Sequence, residues 1–304
     1  MTSAGAVVTG HMPLTSAAAI VWVNGRQVDG GAAHVSALDR GLTLGDGLFE
    51  TVRWYGRRLF RLDKHLLRLR DGCHALGIPV PSALSEMVAG VVQAGARAGY
   101  ANATVRLTVT RGVGPRGVAP PPSPEPTVVI VMHPLAGPSG TAHERGITAR
   151  IASGRRNDRS ATAGLKTLAY VDAVLALAQA RASGADDALF LDTHDHLAEA
   201  TSSNLFLVIG ETLCTPPLSC GVLPGITRAA ILECARELGV ATNERELSLD
   251  DLAHSREAFL TSSIRELVPL VRVDDRAVGN GAPGALTRRF IDAYADLVRR
   301  ECLS

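Results

Sequence analysis

Short segments of strand character, broken by turn dipeptides and interleaved with a few helix-period stretches, run along this 304-residue chain and restrict it to a mixed fold with hairpins. Ala19 to Val28 (AIVWVNGRQV) has β-rich residues on both sides of Asn24-Gly25, a dipeptide that accepts the positive φ angles of a tight turn. Leu48 to Tyr55 and Leu59 to Leu62 flank Gly56 and predict a second hairpin. From Asp63, the residues Leu66, Leu69, Cys73 and Leu76 recur at helical spacing with Gly77 just beyond; Leu84, Met87, Val88 and Val91 predict another helix. Thr104 to Thr110 alternates Val105, Leu107 and Val109 with Thr104, Arg106 and Thr108, so its polar face can look into a cleft. After the Gly- and Pro-rich loop 112–126, Thr127 to Met132 resumes as a strand.

The second half predicts a strand at Ile147 to Ile151, a helix from about Thr167 to Ala182, and strands at Ala188 to Asp192 and Asn204 to Ile209. A helix from Thr227 to Leu238, a strand at Ala258 to Thr261 and a terminal helix from about Ala285 to Cys302 follow. Hairpins without a regular βαβ succession indicate an α+β fold rather than a doubly wound sheet. The expected organisation is a loose leader 1–19, a smaller α/β domain 20–134, a linker 135–142 (LAGPSGT within it), and a larger domain 143–304 that binds the cofactor.

Composition narrows the function. A 46% hydrophobic chain can bury a sizeable core, and 31 basic against 30 acidic residues leave +1, no field for nucleic acid or anionic membranes. No apolar run approaches the roughly 20 residues of a membrane-spanning helix. The five cysteines, Cys73, Cys214, Cys220, Cys234 and Cys302, lack CxxC spacing, which predicts neither a disulfide framework nor a zinc site and fits a reducing cytoplasm. Among the 31 basic residues only Lys64 and Lys166 are lysines. In a chain that fills basic positions with arginine, these two are candidates for amine chemistry.

Lys166 stands in Thr162-Ala-Gly-Leu-Lys-Thr-Leu-Ala-Tyr170, free of other charge. Burial there would favour a neutral amine able to form a Schiff base; a lysine snorkelling from a helix start is the alternative. Lys64 falls off the apolar stripe of its helix and is solvated, and His65 reads as a structural histidine. Glu199, beside Thr201-Ser202-Ser203 at the entry of an apolar strand, reads locally as a solvated turn residue, with a carboxylate paired to a protonated ring nitrogen as the alternative. Leu223-Pro-Gly-Ile226-Thr227-Arg228 opens a helix, an anion seat or a plain Pro-Gly turn with a capping Thr. Thr261-Ser262-Ser263 offers a second group of hydroxyls and amides. Arg61, just before a helix, could clamp a phosphate bidentately. No Ser-His-Asp set, metal-ligand spacing or Walker-type loop is present.

From about Ile20 onward the chain resembles the fold-type IV pyridoxal phosphate enzymes: D-amino acid and branched-chain aminotransferases and aminodeoxychorismate lyase. The resemblance rests on Asp39-Arg-Gly-Leu-Thr-Leu-Gly-Asp-Gly-Leu-Phe-Glu-Thr51, Arg61 with His65 and Arg68-Leu69, Leu165-Lys166, Glu199 with Ser202-Ser203-Asn204-Leu205-Phe206, and Pro224-Gly-Ile-Thr-Arg228. It implies that Lys166 carries the aldimine and shuttles the proton, and that Glu199 binds the pyridine nitrogen. Arg61, Ile226, Thr227, Ser262 and Ser263 would hold the phosphate, with Leu223 packed on the ring. It also implies a homodimer acting on small molecules. Arg53, Arg106, Arg111 and Arg116 are candidates for the substrate carboxylate.

Within the family, Glu-x-x-Ser-Ser-Asn looks like the D-amino acid aminotransferases. Thr110-Arg-Gly-Val-Gly-Pro-Arg-Gly117 is closer to the lyases, and the branched-chain Tyr five residues after the lysine is replaced by Val171, with Tyr170 adjacent. The leading expectation is an aminotransferase for small D-configured amino acids or amines and 2-oxo acids. A lyase releasing pyruvate and 4-aminobenzoate, a branched-chain aminotransferase and a non-enzymatic binding protein follow.

Overall fold

The computed structural model describes residues 19–29, 31, 33–135 and 140–304. The leader expected over 1–19, apart from Ala19, and positions 136–139 of the expected linker lie outside the described residues.

The first half begins with β1 (Ile20–Val23) and β2 (Arg26–Val28), joined by Asn24 and Gly25 at φ 46° and 80°, the mirror-image turn that matches strand twist. Next come α1 (Arg40–Leu44), β3 (Gly47–Trp54), α2 (Leu62–Leu76), α3 (Leu84–Arg97), β4 (Ala103–Thr110) and β5 (Thr127–Pro134). The strands form one sheet in the order β2-β1-β5-β4-β3. Period-2 alternation sends Val105, Leu107, Val109, Ile130 and Met132 to one face, against Leu66, Leu69 and Cys73 of α2 and Leu84, Val88 and Val91 of α3. Each such fully buried aliphatic side chain contributes about 1.5–3 kcal/mol. The opposite face carries Phe49, Thr51 and Arg53 opposite Thr108, Arg106 and Thr104. The second hairpin expected at Gly56 is reduced to a single bridge between Trp54 and Leu59, because the chain turns into α2 at Leu62.

The second half contains α4 (Gly140–Arg145), β6 (Ile147–Arg155), α5 (Val171–Ala182), β7 (Asp187–Leu191), β8 (Leu197–Ala200), β9 (Asn204–Ile209) and β10 (Thr212–Thr215). It continues with α6 (Ile226–Glu237), β11 (Thr242–Glu244), α7 (Leu249–His254), β12 (Glu257–Ser262), β13 (Glu266–Val273), β14 (Arg276–Ala277) and α8 (Ala285–Val298). The strand order is β11-β10-β9-β12-β13-β6-β7-β8, with β8 also pairing β9. Six strands therefore close into a barrel filled by Leu189, Leu191, Leu205, Leu207, Leu260, Val268 and Leu270. The alternate residues Phe206, Val208, Phe259 and Leu267 face outward and are covered by α6 and α8, together with Tyr55 and Phe60 from the first half. The helix expected from Thr167 begins only at Val171. Residues 166–168 instead run beside β3, with Phe49 N donating to Lys166 O and Leu168 N to Gly47 O, each at 3.0 Å. That approach needs Gly47: a Cβ there would lie 2.9 Å from Leu168 Cδ1 and 2.6 Å from Val109 O. All five cysteines are free and buried.

One polar cluster is buried inside this framework. Glu50, on the helix-facing side of β3, accepts from Arg68 Nε and Nη2 at 2.7 Å and from His65 Nδ1 at 2.7 Å. A carboxylate only accepts, so His65 presents Nδ1–H. Burial pushes the Glu50 carboxyl upward, but hydrogen bonds and charge from His65 and Arg68 outweigh it and hold it down at about 2, against an ordinary 4.5. Its contribution, on the order of 3 kcal/mol, is complete above about pH 4.5 and is lost as pH falls toward 2. Denaturant titrations at pH 6 and pH 3 will show a larger loss for wild type than for Glu50→Gln; equal losses would remove Glu50 from this role.

Candidate active site

A cleft of about 410 Å³ opens between the polar face of the first sheet and the mouth of the barrel. Its walls include Phe49, Thr51, Arg68, Arg106, Lys166 and Tyr170 on one side and Leu223, Ile226, Thr227, Thr261, Ser262 and Ser263 on the other. The non-helical segment before α5 delivers Lys166. Its half-buried Nζ lies 3.3 Å from the Tyr170 hydroxyl and 4.5 Å from the centroid of the Phe49 ring. Lys64, by contrast, is solvated, with a side chain 61% exposed.

Behind Lys166 a narrow extension is lined by Tyr170, Glu199, Ser202, Ser203, Asn204 and Leu223. The pairing of β8 with β9 sets Glu199 directly beside Asn204. Glu199 is buried and receives Leu223 N at 3.0 Å and Asn204 Nδ2 at 3.3 Å on Oε2, while Arg156 Nη2 lies 2.8 Å from Oε1. Burial pushes its carboxyl upward; the Arg156 charge and the Leu223 N–H pull against this. The solvated-turn reading of Glu199 is thereby removed. Asn204 also donates to Leu223 O at 2.9 Å, fixing the turn that carries Leu223. Gly225 permits this closeness, since a Cβ there would collide with Asn204 Oδ1.

At the far end α6 presents its N-terminal amides, and the buried hydroxyls of Thr227 and Thr261 make no hydrogen bond among the described residues. Buried hydroxyls left without partners at a helix N-terminus fit an anionic group with several acceptor oxygens. Ser262 and Ser263 line the same end. Arg61 does not reach it. Its guanidinium is held by Glu233 at 2.6 Å and Glu301 at 2.8 Å, joining α2 to α6 and the C-terminal turn. Arg68, not Arg61, lines the cleft; one face of its guanidinium is fixed by Glu50 while Nη1 donates to Pro224 O at 2.7 Å. Both arginines stand on or beside the same helix, and only the fold shows which one faces inward. A sequence signal existed: a Glu inside an apolar strand requires buried donors, and His65 and Arg68 share one helical face.

Of the four arginines expected to meet a substrate carboxylate, one lines the cleft. Arg106 lies over the Phe49 ring at 3.7 Å, with part of its side chain open to solvent and no carboxylate partner among the described residues. Arg53 is buried against Ile264 O and Glu266, and Arg111 is consumed by Asp46, Leu76 O and Gly77 O. Arg116 is exposed on the loop after β4. Sequence reasoning missed Arg156 and Arg265, the latter lining the cleft and paired with buried Asp187 at 2.7 Å.

A lysine amine, a buried carboxylate and an anion seat around one cleft define a site for pyridoxal-type chemistry. The family model for class IV amino-transferases matches residues 47–273. The chain is 32% identical to a branched-chain-amino-acid aminotransferase of Salmonella typhimurium, over 94% of this chain and 95% of the relative. It is 29% identical to a D-alanine aminotransferase of Bacillus licheniformis, over 92% and 98%. It also superposes on the crystal structure of 4-amino-4-deoxychorismate lyase from Pseudomonas aeruginosa with a TM-score of 0.80 and 33% identity, covering 93% of this chain and 99% of that one. The protein belongs to the class IV aminotransferases, enzymes of fold type IV that use pyridoxal 5′-phosphate.

Proposed function

We propose that this enzyme transfers the amino group of an aliphatic amino acid to a 2-oxo acid, with Lys166 as the proton carrier and Arg106 as the grip on the substrate carboxylate. The observation that carries this reading is that Lys166 Nζ and the Arg106 guanidinium, which has no carboxylate partner among the described residues, share one cleft, with buried Glu199 just behind. Pyridoxal 5′-phosphate, when bound, supplies the electron sink that makes the substrate α-hydrogen acidic. Glu199 would hold the ring nitrogen, and Leu223 would pack on the ring. Arg68, Thr227, Thr261, Ser262, Ser263 and the first amides of α6 would hold the phosphate. Lys166 Nζ would take the proton from the substrate Cα and hand it to the cofactor carbon bonded to the transferred nitrogen, so that water releases the 2-oxo acid and the nitrogen stays behind; the Tyr170 hydroxyl, 3.3 Å away, steadies the amine.

Branched-chain donors stand first in this reading. Phe49, Tyr170 and Ile264 give the cleft apolar wall, and each methylene buried there gains about 0.8 kcal/mol, an advantage that the methyl of alanine does not share. A D-configured donor and the lyase reaction are the competing readings. Addition of L-leucine, D-alanine or aminodeoxychorismate to separate samples of the holoenzyme decides between them by absorbance and product analysis. Bleaching by L-leucine with formation of its 2-oxo acid is expected; bleaching by D-alanine alone, or release of pyruvate with 4-aminobenzoate, would replace the branched-chain assignment. Arg106→Leu is expected to lower kcat/KM for the amino acid about tenfold, mainly through KM, as loss of a charge-assisted contact at a partly open site implies.

The assembly proposed is a homodimer. Leu42 and Leu44 of α1 and Val171, Val174 and Leu175 of α5 are exposed, between 48% and 77%. Gly45, at the end of α1, lies next to Ala169, just before α5, so these residues form neighbouring parts of one apolar surface. Leu42→Glu should leave the chain folded and move it to the monomer mass in light scattering; an unchanged mass would place the interface elsewhere. Among the described residues no helix is long and apolar enough to cross a membrane.

A further inference from the structure

We infer that Asp192, His196 and Cys220 form a binding site for one thiophilic divalent cation of zinc-like chemistry, behind the strand that carries Glu199. The carboxylate, imidazole and thiol atoms of these residues all lie within 4.8 Å of one another. Asp192 and His196 come from the turn between β7 and β8, and Cys220 from a single 3₁₀ turn, Leu218–Cys220, ahead of Leu223. A tetrahedral ion with bonds of 2.0–2.3 Å needs ligand atoms about 3.3–3.7 Å apart, so only a small closing movement is required. His196 Nδ1 and Asp192 Oδ2 already stand 3.3 Å apart.

The surroundings are arranged as a metal site requires. Asp192 Oδ1 is fixed by the backbone amides of His194 and His196 at 2.8 and 2.9 Å, which aims the second oxygen at the cluster. His196 points Nδ1 inward while Nε2 faces Glu246 Oε2 at 3.6 Å, the carboxylate–histidine arrangement that orients a metal-ligating imidazole. The Asp192 and Cys220 side chains are buried, whereas His196 is 31% exposed and provides the access route. A carboxylate, a thiolate and a neutral imidazole carry two negative charges, the complement of a divalent ion; the Cys220 thiol proton passes to solvent as the metal–sulfur bond forms. Solvent would complete the fourth position. Cys220, Val222 and Ala198 pack together, so the ion would stiffen the turn whose Leu223 N–H holds Glu199.

The test uses the holoenzyme, stripped with a chelator and then dialysed against Zn²⁺, with metal counted per chain; a parallel Cd²⁺ titration follows the ultraviolet thiolate–cadmium band. One ion per chain is expected. Cys220→Ser should abolish the band and weaken Zn²⁺ binding at least tenfold, and Glu246→Gln, at a position 62% exposed, should weaken it about 10- to 100-fold while the band persists. Cys214→Ser should change neither. No retained Zn²⁺, or equal retention by wild type, Cys220→Ser and Glu246→Gln, would overturn the site.

Discussion

Lys166→Ala is expected to remove turnover by about 10²–10⁴-fold and to convert a cofactor that survives dialysis into one that is lost. The two readouts are linked by one amine. Among the described residues Nζ contacts the Tyr170 hydroxyl and the faces of Phe49 and Tyr170, and its charge acts on buried Glu199 without a direct ion pair, so its removal breaks no salt bridge. Stability should change by no more than about 1 kcal/mol, the size of a partly exposed cation–π contact. Thermal unfolding of the variant therefore controls for misfolding, and a variant with wild-type turnover would end the assignment of Lys166 as the proton carrier. Added methylamine should restore part of the rate, because a small free amine can occupy the space vacated by the side chain and move the same proton.

Glu199→Gln should lower kcat by about 10²- to 10³-fold with little change in KM, as expected when a fixed charge that acts on the reacting state is removed. The amide keeps the size of the carboxylate and still accepts from Leu223 N and Asn204 Nδ2, so the turn and the Leu223 position persist. What disappears is the negative charge 2.8 Å from Arg156 and available to a protonated ring nitrogen. Arg156 is about one-third exposed and can turn to solvent, so the variant should fold. Pre-steady-state absorbance will locate the loss in proton transfer; an unchanged kcat would show that Glu199 serves only to order the turn.

Much of the fold was legible because its signals are local. Asn24-Gly25 supplies the positive φ angles of the first turn, and the alternation of Val105, Leu107 and Val109 matches a sheet with one covered face. Gly77 ends α2 in the left-handed conformation, with its N–H returned to Cys73 and His74 carbonyls. The strands β8, β10, β11, β13 and β14 went unread. All but β13 are short, and Glu266–Val273 is broken in pattern by Pro269 and by a register shift near Leu270. The segment 167–170 reads as helix from composition, yet residues 166–168 pair with β3 because Gly47 leaves room for their backbone.

The same division runs through the site. From sequence, the class of chemistry was legible through the resemblance carried by ordered motifs: one of the chain's two lysines, an acid at the entry of an apolar strand, and Pro-Gly-Ile-Thr at a helix start. Only the tertiary structure decided which cations face the cleft. Arg61 and Arg68 belong to one stretch of chain, but the left-handed backbone at Arg61, φ 51°, turns it toward Glu233 and Glu301, while helical spacing from His65 brings Arg68 to Glu50 and the cleft. Arg53, Arg106 and Arg111 are alike in composition and differ only in what they meet. Two are neutralised by acidic partners and carbonyls, and one lies over Phe49 with no anion among the described residues. Asp192, His196 and Cys220 carry no motif spacing and meet because two turns pack side by side at the mouth of a closed barrel. Local patterns specify backbone conformation, whereas the charge a side chain finally meets depends on residues distant in sequence, and burial makes that meeting decisive.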